Sequence, residues 1–446
     1  MSGEYLKGQK QNIRLGVVCL ARTTFDFNVA KEIFDKRKLD LKKLENVELE
    51  IVEDLVIEVE DAEGAAEYLS SKNIDGLVII SGTFHLGHLA LILDNKVRKP
   101  VLLWAFNELP YNGGKIRLNS VCGVNLNASN LYKSGNDTFV SIVGDAIDET
   151  WVDAIRMKAA LEKAHIGIAG FRAHGFFNLG VDELRNFKET GILLDHYEIA
   201  EMFGEIPEDE VVDKKEAEVR AIYQCSGVTD EQVRKVATLI VTAENFMNKN
   251  KLTGLAVRCW PEFAATFGIA PCAAMSILQS QGYIMGCEGD VEGTMSMIAC
   301  KAVGAETPFL ADLSQVNFEE DYALMWHCGV AAPNLWDKKS VRSLDTYFAG
   351  GKGVTADFVM KSGRVNVMRI DSARGKTRVF LGKGEALPME KLLRGTYAKV
   401  RFEKNISEVL DIVTTTGIAH HVSMVYGDFT KTFKMFAKIM KWEVIE

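Results

Sequence analysis

Two carboxylates and three histidines stand out because each lies at the edge of an apolar segment. Glu288 lies in MGCEGD, and Asp312 follows PFLA. A carboxylate at a buried edge is costly unless it is paired, hydrogen-bonded or bound to a metal ion. Downstream, WHCG supplies His327, and AHHV supplies the adjacent pair His420 and His421. Two carboxylates with one or two imidazoles suit a divalent cation such as Mn²⁺, with Mg²⁺ or Co²⁺ as further candidates.

The spacing of these residues leaves a second interpretation open. They lie far apart in the sequence, so their order alone is weak evidence for a metal site. Glu288 and Asp312 could equally be edge residues satisfied by hydrogen bonds, and the histidines could be structural. On the residues alone, the two interpretations stand about even.

Two glycine-containing loops and one arginine follow predicted strands, where α/β proteins place ligand groups. SGTFHLGHL contains HxGH, which resembles the signature of class I aminoacyl-tRNA synthetases, but the later lysine-rich loop of that class is absent. GIAGFRAHG lacks the GxGxxG spacing and carries Arg172 and His174 where a backbone would have to approach a pyrophosphate. It therefore predicts a sugar- or phosphate-facing loop, or an inert one. Arg22 is a candidate substrate-facing cation or a surface residue.

The elements around these residues predict an α/β fold class. Short apolar strands alternate with helical segments, which is typical of parallel sheets. A second round of the same pattern begins near residue 165, and from about residue 340 the pattern has a period near two with glycine turns. We expect an N-terminal α/β domain at 1–164, a second Rossmann-like α/β domain at 165–335 with the carboxylates, and a β-rich, barrel-like domain at 336–446 with the late histidine.

The composition narrows the classes of function. A formal net charge of −9, with no Lys/Arg-rich block, argues against nucleic-acid binding. The N-terminus lacks the features of a secretory signal, and no apolar run reaches the ~18–20 residues of a membrane helix. Eight scattered cysteines without CxxC indicate neither a disulfide framework nor a zinc knuckle. We expect a cytoplasmic protein with reduced thiols and no membrane partner.

Several segments together resemble the L-fucose/L-arabinose isomerase superfamily, nearest to L-fucose isomerase-like proteins. The segments are CEGDVEGTMSM, FLADL, WHCG and AHHV in that order, together with AVRCWPEF, KPVLLWAFNEL and NSVCGVNL. The resemblance covers most of the chain. This chain is much shorter than the usual fucose isomerases, so the loops that shape the pocket must differ and the sugar stays undetermined.

The resemblance implies a metal-dependent aldose–ketose isomerase that acts on a monosaccharide through a cis-enediol. Glu288 and Asp312 would be metal ligands and the acid/base pair. His421 would be the late histidine ligand, and His327 would match an extra ligand of the arabinose branch. The sugar could be 6-deoxy, phosphorylated or sulfonated. A non-catalytic cytoplasmic sugar-binding protein of the same fold and a sugar epimerase are the alternatives.

The resemblance also implies an oligomer, with a hexamer as the commonest assembly, in which the first domain of one subunit helps to cover a neighbour's site. That arrangement would give a role to His85, Trp104 and Asn119 in the first domain. Trp260 and His420 are further candidates for sugar contacts, although Trp260 alone reads more often as a core residue.

Overall fold

The computed structural model of the protein describes residues 8–203, 207–348 and 353–446. These residues divide into two structural units. The N-terminal unit comprises Lys10–Ala159 with Lys438–Lys441. The C-terminal unit comprises Ala160–Ala437 and Trp442–Glu446, together with the described residues 8–9.

The N-terminal unit is built on a five-stranded parallel sheet in the order β2-β1-β3-β4-β5. The middle strands are apolar and buried along nearly their whole length, as expected when helices cover both faces of a parallel sheet. The strands are β1 Ile13–Leu20, β2 Val47–Ile51, β3 Gly76–Ser81, β4 Val101–Ala105 and β5 Val140–Val143, and the helices are α1 Phe27–Leu41, α2 Val59–Ser70, α3 His88–Val97, α4 Ser120–Lys133 and α5 Glu149–Glu162.

The C-terminal unit contains a second parallel sheet of four strands, in the order β7-β6-β8-β9. The predicted second α/β round is therefore confirmed. Its strands are β6 His165–Ala169, β7 Leu193–Tyr197, β8 Gly254–Val257 and β9 Ile284–Cys287, and its helices are α6 Glu183–Thr190, α7 Ile199–Met202, α8 Asp209–Ile222, α9 Asp230–Lys249, α10 Glu262–Thr266, α11 Cys272–Ser280 and α12 Val291–Ala302.

Side-chain caps decide where several of these helices begin and end. Thr229 and Gln232 form a reciprocal capping box at the start of α9. Asp290 caps α12 by accepting a hydrogen bond from the Gly293 backbone N–H at 2.9 Å. Gly191 ends α6 in a left-handed conformation, which glycine adopts without steric cost.

The remainder of the C-terminal unit forms a nine-stranded, mostly antiparallel sheet. Six of its strands, in the order β16-β11-β10-β17-β14-β15, close into a barrel because β15 also pairs with β16. The barrel begins with β10 and β11, ahead of residue 336. The strands are β10 Phe309–Asn317, β11 Tyr322–His327, β12 Ser343–Phe348, β13 Gly353–Val359, β14 Gly363–Ala373, β15 Lys376–Leu387, β16 Thr396–Phe402, β17 His421–Tyr426 and β18 Glu443–Ile445, with α13 Ile406–Thr416 and α14 Thr430–Met440.

These elements confirm the predicted fold class of parallel α/β sheets followed by a β-rich, barrel-like part. Within the described ranges, no helix combines the length and the apolar character that crossing a bilayer requires.

Candidate active site

Strand ends and strand register in the C-terminal unit bring the predicted ligands together. Glu288 directly follows β9, at the carboxyl end of the four-stranded parallel sheet. In the barrel, Asp312 on β10 is the register partner of His421, the first residue of β17. His327 ends β11, whose Trp326 is the register partner of Asp312 on the other side of β10. Three neighbouring strands and one loop thus converge on one point.

The two carboxylates converge on one imidazole nitrogen. His421 Nε2 lies 3.3 Å from Glu288 Oε2 and 3.5 Å from Asp312 Oδ1. His420 Nε2 lies 3.4 Å from the same Glu288 oxygen, but its side chain is 39% exposed whereas that of His421 is 1% exposed. His421 is therefore the imidazole that both carboxylates reach.

The donor set fits a divalent cation. Ligand atoms of Asp312, His327 and His421 lie within 4.8 Å of one another, as do those of Glu288, His420 and His421. Asp312 Oδ1 and His327 Nε2 are both buried, and neither has a hydrogen-bond partner among the residues that the structure describes. Buried polar atoms without partners are rare and call for an explanation, such as a bound ion. Carboxylate oxygens mixed with imidazole nitrogens suit Mn²⁺ or a similar ion.

Glu288 is held in place on several sides. Its backbone has φ +61°, a left-handed conformation that is uncommon outside glycine and often marks functional sites. Trp260 Nε1 donates to Glu288 Oε1 at 3.3 Å, which places this tryptophan at the site. Burial raises the pKa of the Glu288 carboxyl, but the neighbouring imidazoles of His420 and His421 outweigh burial and lower that pKa to about 2. Glu288 is therefore ionised at neutral pH.

Asp290 is a functional candidate that the sequence analysis missed. Besides capping α12, it accepts a hydrogen bond from His421 Nδ1 at 2.9 Å, and both side chains are buried. A carboxylate on the far nitrogen of a histidine fixes the ring and directs its Nε2 lone pair outward. The sequence CEGDVEG contains a signal for a helix cap only, because the partner of Asp290 lies more than a hundred residues away.

Arg369 on β14 connects the Asp290 carboxylate to the barrel. Its Nη1 donates to Asp290 Oδ2 at 2.7 Å and to the His421 carbonyl oxygen at 3.0 Å. Its Nε donates to Asp371 at 3.1 Å, and Asp371 in turn pairs with Arg378 at 2.7 Å. Burial raises the pKa of Asp290, but the Arg369 charge outweighs it and keeps that pKa well below its usual value. This chain of buried charges supports the candidate ligand His421.

Glu292 belongs to the same buried cluster and should make stability depend on pH. Burial raises the pKa of its carboxyl from 4.5 to about 7. Because the folded protein holds this proton more tightly than the unfolded chain, stability should fall as the pH rises from about 4.5 to 7. Glu292→Gln should remove that loss and raise the free energy of unfolding at pH 8 by roughly 3 kcal/mol relative to wild type. Urea unfolding of both proteins at pH 5 and pH 8 measures this, and parallel pH profiles would contradict it.

The candidates in the N-terminal unit differ in how far they are open to a ligand. His85 is fully buried, with Nδ1 2.9 Å from the Thr83 carbonyl oxygen and Nε2 2.8 Å from Asn127 Nδ2. Trp104 is buried and donates to the Gly144 carbonyl oxygen at 2.9 Å.

Arg22 and Asn119 are half-buried, and Asn119 has φ +52° at the start of α4. Arg22 and Asn119 thus present polar groups, whereas the ring nitrogens of the other two are engaged within their own unit.

Comparisons with known proteins assign the family. The family described as "Fucose/sulfoquinovose isomerase, N-terminal domain" matches residues 16–149, and "L-fucose isomerase, C-terminal domain" matches residues 325–446. The chain is 29% identical to a sulfoquinovose isomerase of Priestia aryabhattai, over 97% of this chain and 99% of that protein. It is 26% identical to a sulfoquinovose isomerase of Alkalicoccus urumqiensis, over 83% of this chain and 86% of that protein.

A solved structure matches the chain only weakly and does not bear on the family. A periplasmic solute-binding protein from Actinobacillus succinogenes with bound D-allose matches at a TM-score of 0.17 and 10% identity, over 66% of this chain and 88% of that chain. The two family matches cover more than half of the chain between them, and the full-length relatives agree with them. The chain therefore belongs to the fucose isomerase-like superfamily of aldose–ketose isomerases.

Proposed function

We propose that this protein isomerises sulfoquinovose, a glucose that carries a sulfonate at C6, to the corresponding ketose at a divalent metal site. The observation that carries the proposal is the convergence of the Glu288 and Asp312 carboxylates on His421 Nε2. The names of the full-length relatives support the sulfonated sugar. An enzyme that moves a proton between adjacent carbons needs two such groups, whereas a sugar-binding module does not.

Glu288, Asp312 and His421 would hold the metal ion, and His327 would be a fourth ligand. Mn²⁺ is our first choice, with Mg²⁺ or Co²⁺ as alternatives, because the donor set mixes carboxylates with imidazoles. When bound, the ion supplies Lewis-acid stabilisation of charge on adjacent sugar oxygens and orients them. Asp290 holds the His421 ring from behind, so that its Nε2 faces the carboxylates.

The chain's own residues would move the protons. One carboxylate takes the proton from C2 of the aldose, the hydroxyl proton of O2 passes to O1, and the carboxylate returns its proton to C1. Glu288 is ionised at neutral pH and is oriented by Trp260, so it can accept the carbon-bound proton. Asp312 would bind the ion through Oδ1, which lies 3.5 Å from His421 Nε2, and its other carboxylate oxygen would relay the hydroxyl proton. General acid/base catalysis of this kind contributes about 10²–10⁴-fold.

Other side chains are proposed to bind the sugar or to build its surroundings. His420 and Trp260 line the Glu288 side of the site. Arg22 and Asn119 remain proposed sugar contacts from the first domain of a neighbouring subunit, with His85 and Trp104 supporting the loops around them. The homo-oligomer that the family resemblance implies is also part of this proposal. Light scattering would report whether that oligomer is a hexamer.

A substrate panel tests the proposed substrate. The protein is loaded with Mn²⁺ and incubated separately with sulfoquinovose, glucose, glucose 6-phosphate and L-fucose, and the products are resolved by NMR. We expect ketose formation from sulfoquinovose at the highest kcat/KM. Conversion of a different sugar alone would contradict the proposed substrate, and an aldose product inverted at C2 would identify an epimerase instead.

Removal of the late histidine should weaken metal binding. His421→Ala is expected to lower the affinity for Mn²⁺ by more than about 100-fold. Mutation of a residue that only hydrogen-bonds to a metal ligand already costs about 10–100-fold in affinity, and loss of the ligand itself should cost more. Titration followed by electron paramagnetic resonance measures the free ion, and excess Mn²⁺ should restore part of the activity. His88→Ala is the matched control, because His88 is exposed at the start of α3 and lies outside the ligand cluster. Equal Mn²⁺ affinity in the two variants would show that His421 is not a ligand.

A further inference from the structure

The loop after β6, residues 170–182, runs along the candidate active site. The Ala173 backbone N–H donates to the Glu288 carbonyl oxygen at 2.8 Å. A Cβ atom added at Gly289 would lie 2.6 Å from Arg172 Cα, so the loop backbone and the residue after Glu288 are in close contact. The backbone of Arg172 is therefore anchored beside the candidate base.

The same loop contacts two side chains that touch the Glu288 carboxylate. The Phe176 ring packs edge-on against Trp260 at 6.1 Å and against His420 at 5.2 Å between centroids. Asn178 Nδ2 lies 3.1 Å from His420 Nδ1. Since Trp260 and His420 both reach Glu288, the loop forms one wall of the site.

The Arg172 guanidinium is held in this wall but is not neutralised. Its Nε donates to the Phe176 carbonyl oxygen at 3.0 Å, and its Cζ lies 4.7 Å from the Phe171 ring and 5.2 Å from the Phe177 ring. Within residues 8–203, 207–348 and 353–446, no carboxylate lies within ion-pair distance of it. The two terminal nitrogens are thus free to bind an anion.

Two other arginines of the C-terminal unit, Arg258 and Arg369, are paired with carboxylates. Arg258, which also follows a strand of the four-stranded sheet, lies 3.1 Å from Glu262, and Arg369 is buried among carboxylates. A guanidinium that packs against aromatic rings, on a loop whose backbone is bonded to Glu288, calls for a ligand that supplies the negative charge. A sulfonate has three oxygens in a geometry that the planar guanidinium fork can bind in a bidentate manner.

We propose that Arg172 binds the sulfonate of the sugar and selects for it. This inference rests on the proposed function and adds the residue that binds the sulfonate group at C6 of the substrate. The hydrogen bond from Arg172 Nε to the Phe176 carbonyl oxygen holds the guanidinium in place before the substrate binds, and so does its packing against the two phenylalanine rings. This lowers the entropic cost of binding.

The test compares charged and neutral sugars in matched variants. Steady-state kinetics with sulfoquinovose and glucose are measured for wild type, Arg172→Gln, Arg172→Lys and the control Arg374→Gln, an exposed arginine in the β14–β15 turn. Arg172→Gln is expected to lose about 30- to 100-fold in kcat/KM on sulfoquinovose, mainly through KM, and less than about 3-fold on glucose. Arg172→Lys should recover part of the loss, and Arg374→Gln should match wild type.

A binding measurement keeps the test independent of turnover. Calorimetry with the alditol of sulfoquinovose, which cannot be isomerised, should show the same loss of affinity in Arg172→Gln, at a melting temperature equal to that of wild type. Equal losses on sulfonated and neutral sugars, or no loss on either, would overturn the role of Arg172 alone. A wild-type protein that neither converts sulfoquinovose nor binds its alditol would overturn the proposed substrate, and this inference with it.

Discussion

Glu288→Gln and Asp312→Asn are each expected to lower kcat by at least about 10²–10⁴-fold, because each variant removes a proton-transfer group. Each also removes a charged oxygen that the metal site needs, so the loss should be at the upper end of that range. Both amides keep the shape of the original side chain, and Trp260 can still donate to the amide oxygen in the first variant. The measurement is kcat on sulfoquinovose at saturating Mn²⁺.

Glu319→Gln is the control for both carboxylate variants. Glu319 is exposed in the turn that follows β10, the strand that carries Asp312. The activity and melting temperature of this control should equal those of wild type. Full activity in Glu288→Gln or in Asp312→Asn would remove that carboxylate from the mechanism, whatever its distance from His421.

Arg369→Met is expected to have the largest effect on stability, about 3–5 kcal/mol, because it leaves buried carboxylates without their partner. Arg369 is completely buried, and it lies 2.7 Å from Asp290 and 3.1 Å from Asp371. It also supports the His421 carbonyl oxygen at 3.0 Å, so Mn²⁺ affinity should fall together with stability. Urea unfolding of the metal-free protein reports the first effect, and Mn²⁺ titration of the folded variant reports the second.

Arg364→Met on the same strand is the matched control. Arg364 pairs with Asp428 at 3.1 Å, but its side chain is 63% exposed. Exposed ion pairs contribute about 0–1 kcal/mol to stability. The free energy of unfolding of this variant should therefore differ from that of wild type by no more than about 1 kcal/mol. A similar small change in Arg369→Met would show that the buried network does not stabilise the fold.

Much of the fold could be predicted because its signals are local. Strand–helix alternation predicted both parallel sheets, and the period-two pattern with glycine turns predicted the antiparallel barrel. The closure of the barrel through β15 and β16 could not be predicted, because strand pairing across the barrel depends on register between distant segments. The start of the barrel at β10 could not be predicted either, because the short apolar segment FLADL is compatible with a strand of the parallel sheet or of the barrel.

The candidate site was predictable only in part. Glu288, Asp312 and His421 could be named from their types and from the family resemblance, and the structure places them together. Asp290 and Arg369 could not, because the role of each is defined by a partner that the fold brings from far along the chain. His85 illustrates the reverse case, since a histidine in a glycine-flanked loop resembles a ligand but is fully hydrogen-bonded inside its own unit.

The most direct test of the central claim is isomerisation of sulfoquinovose in D₂O by metal-stripped protein, before and after addition of Mn²⁺, followed by NMR. We predict no conversion without metal, conversion after Mn²⁺ is added, and a ketose whose C1 carries deuterium to the extent that the transferred proton exchanges with solvent. Conversion at an unchanged rate in the metal-stripped protein would contradict the role given to Glu288, Asp312 and His421 as a metal site.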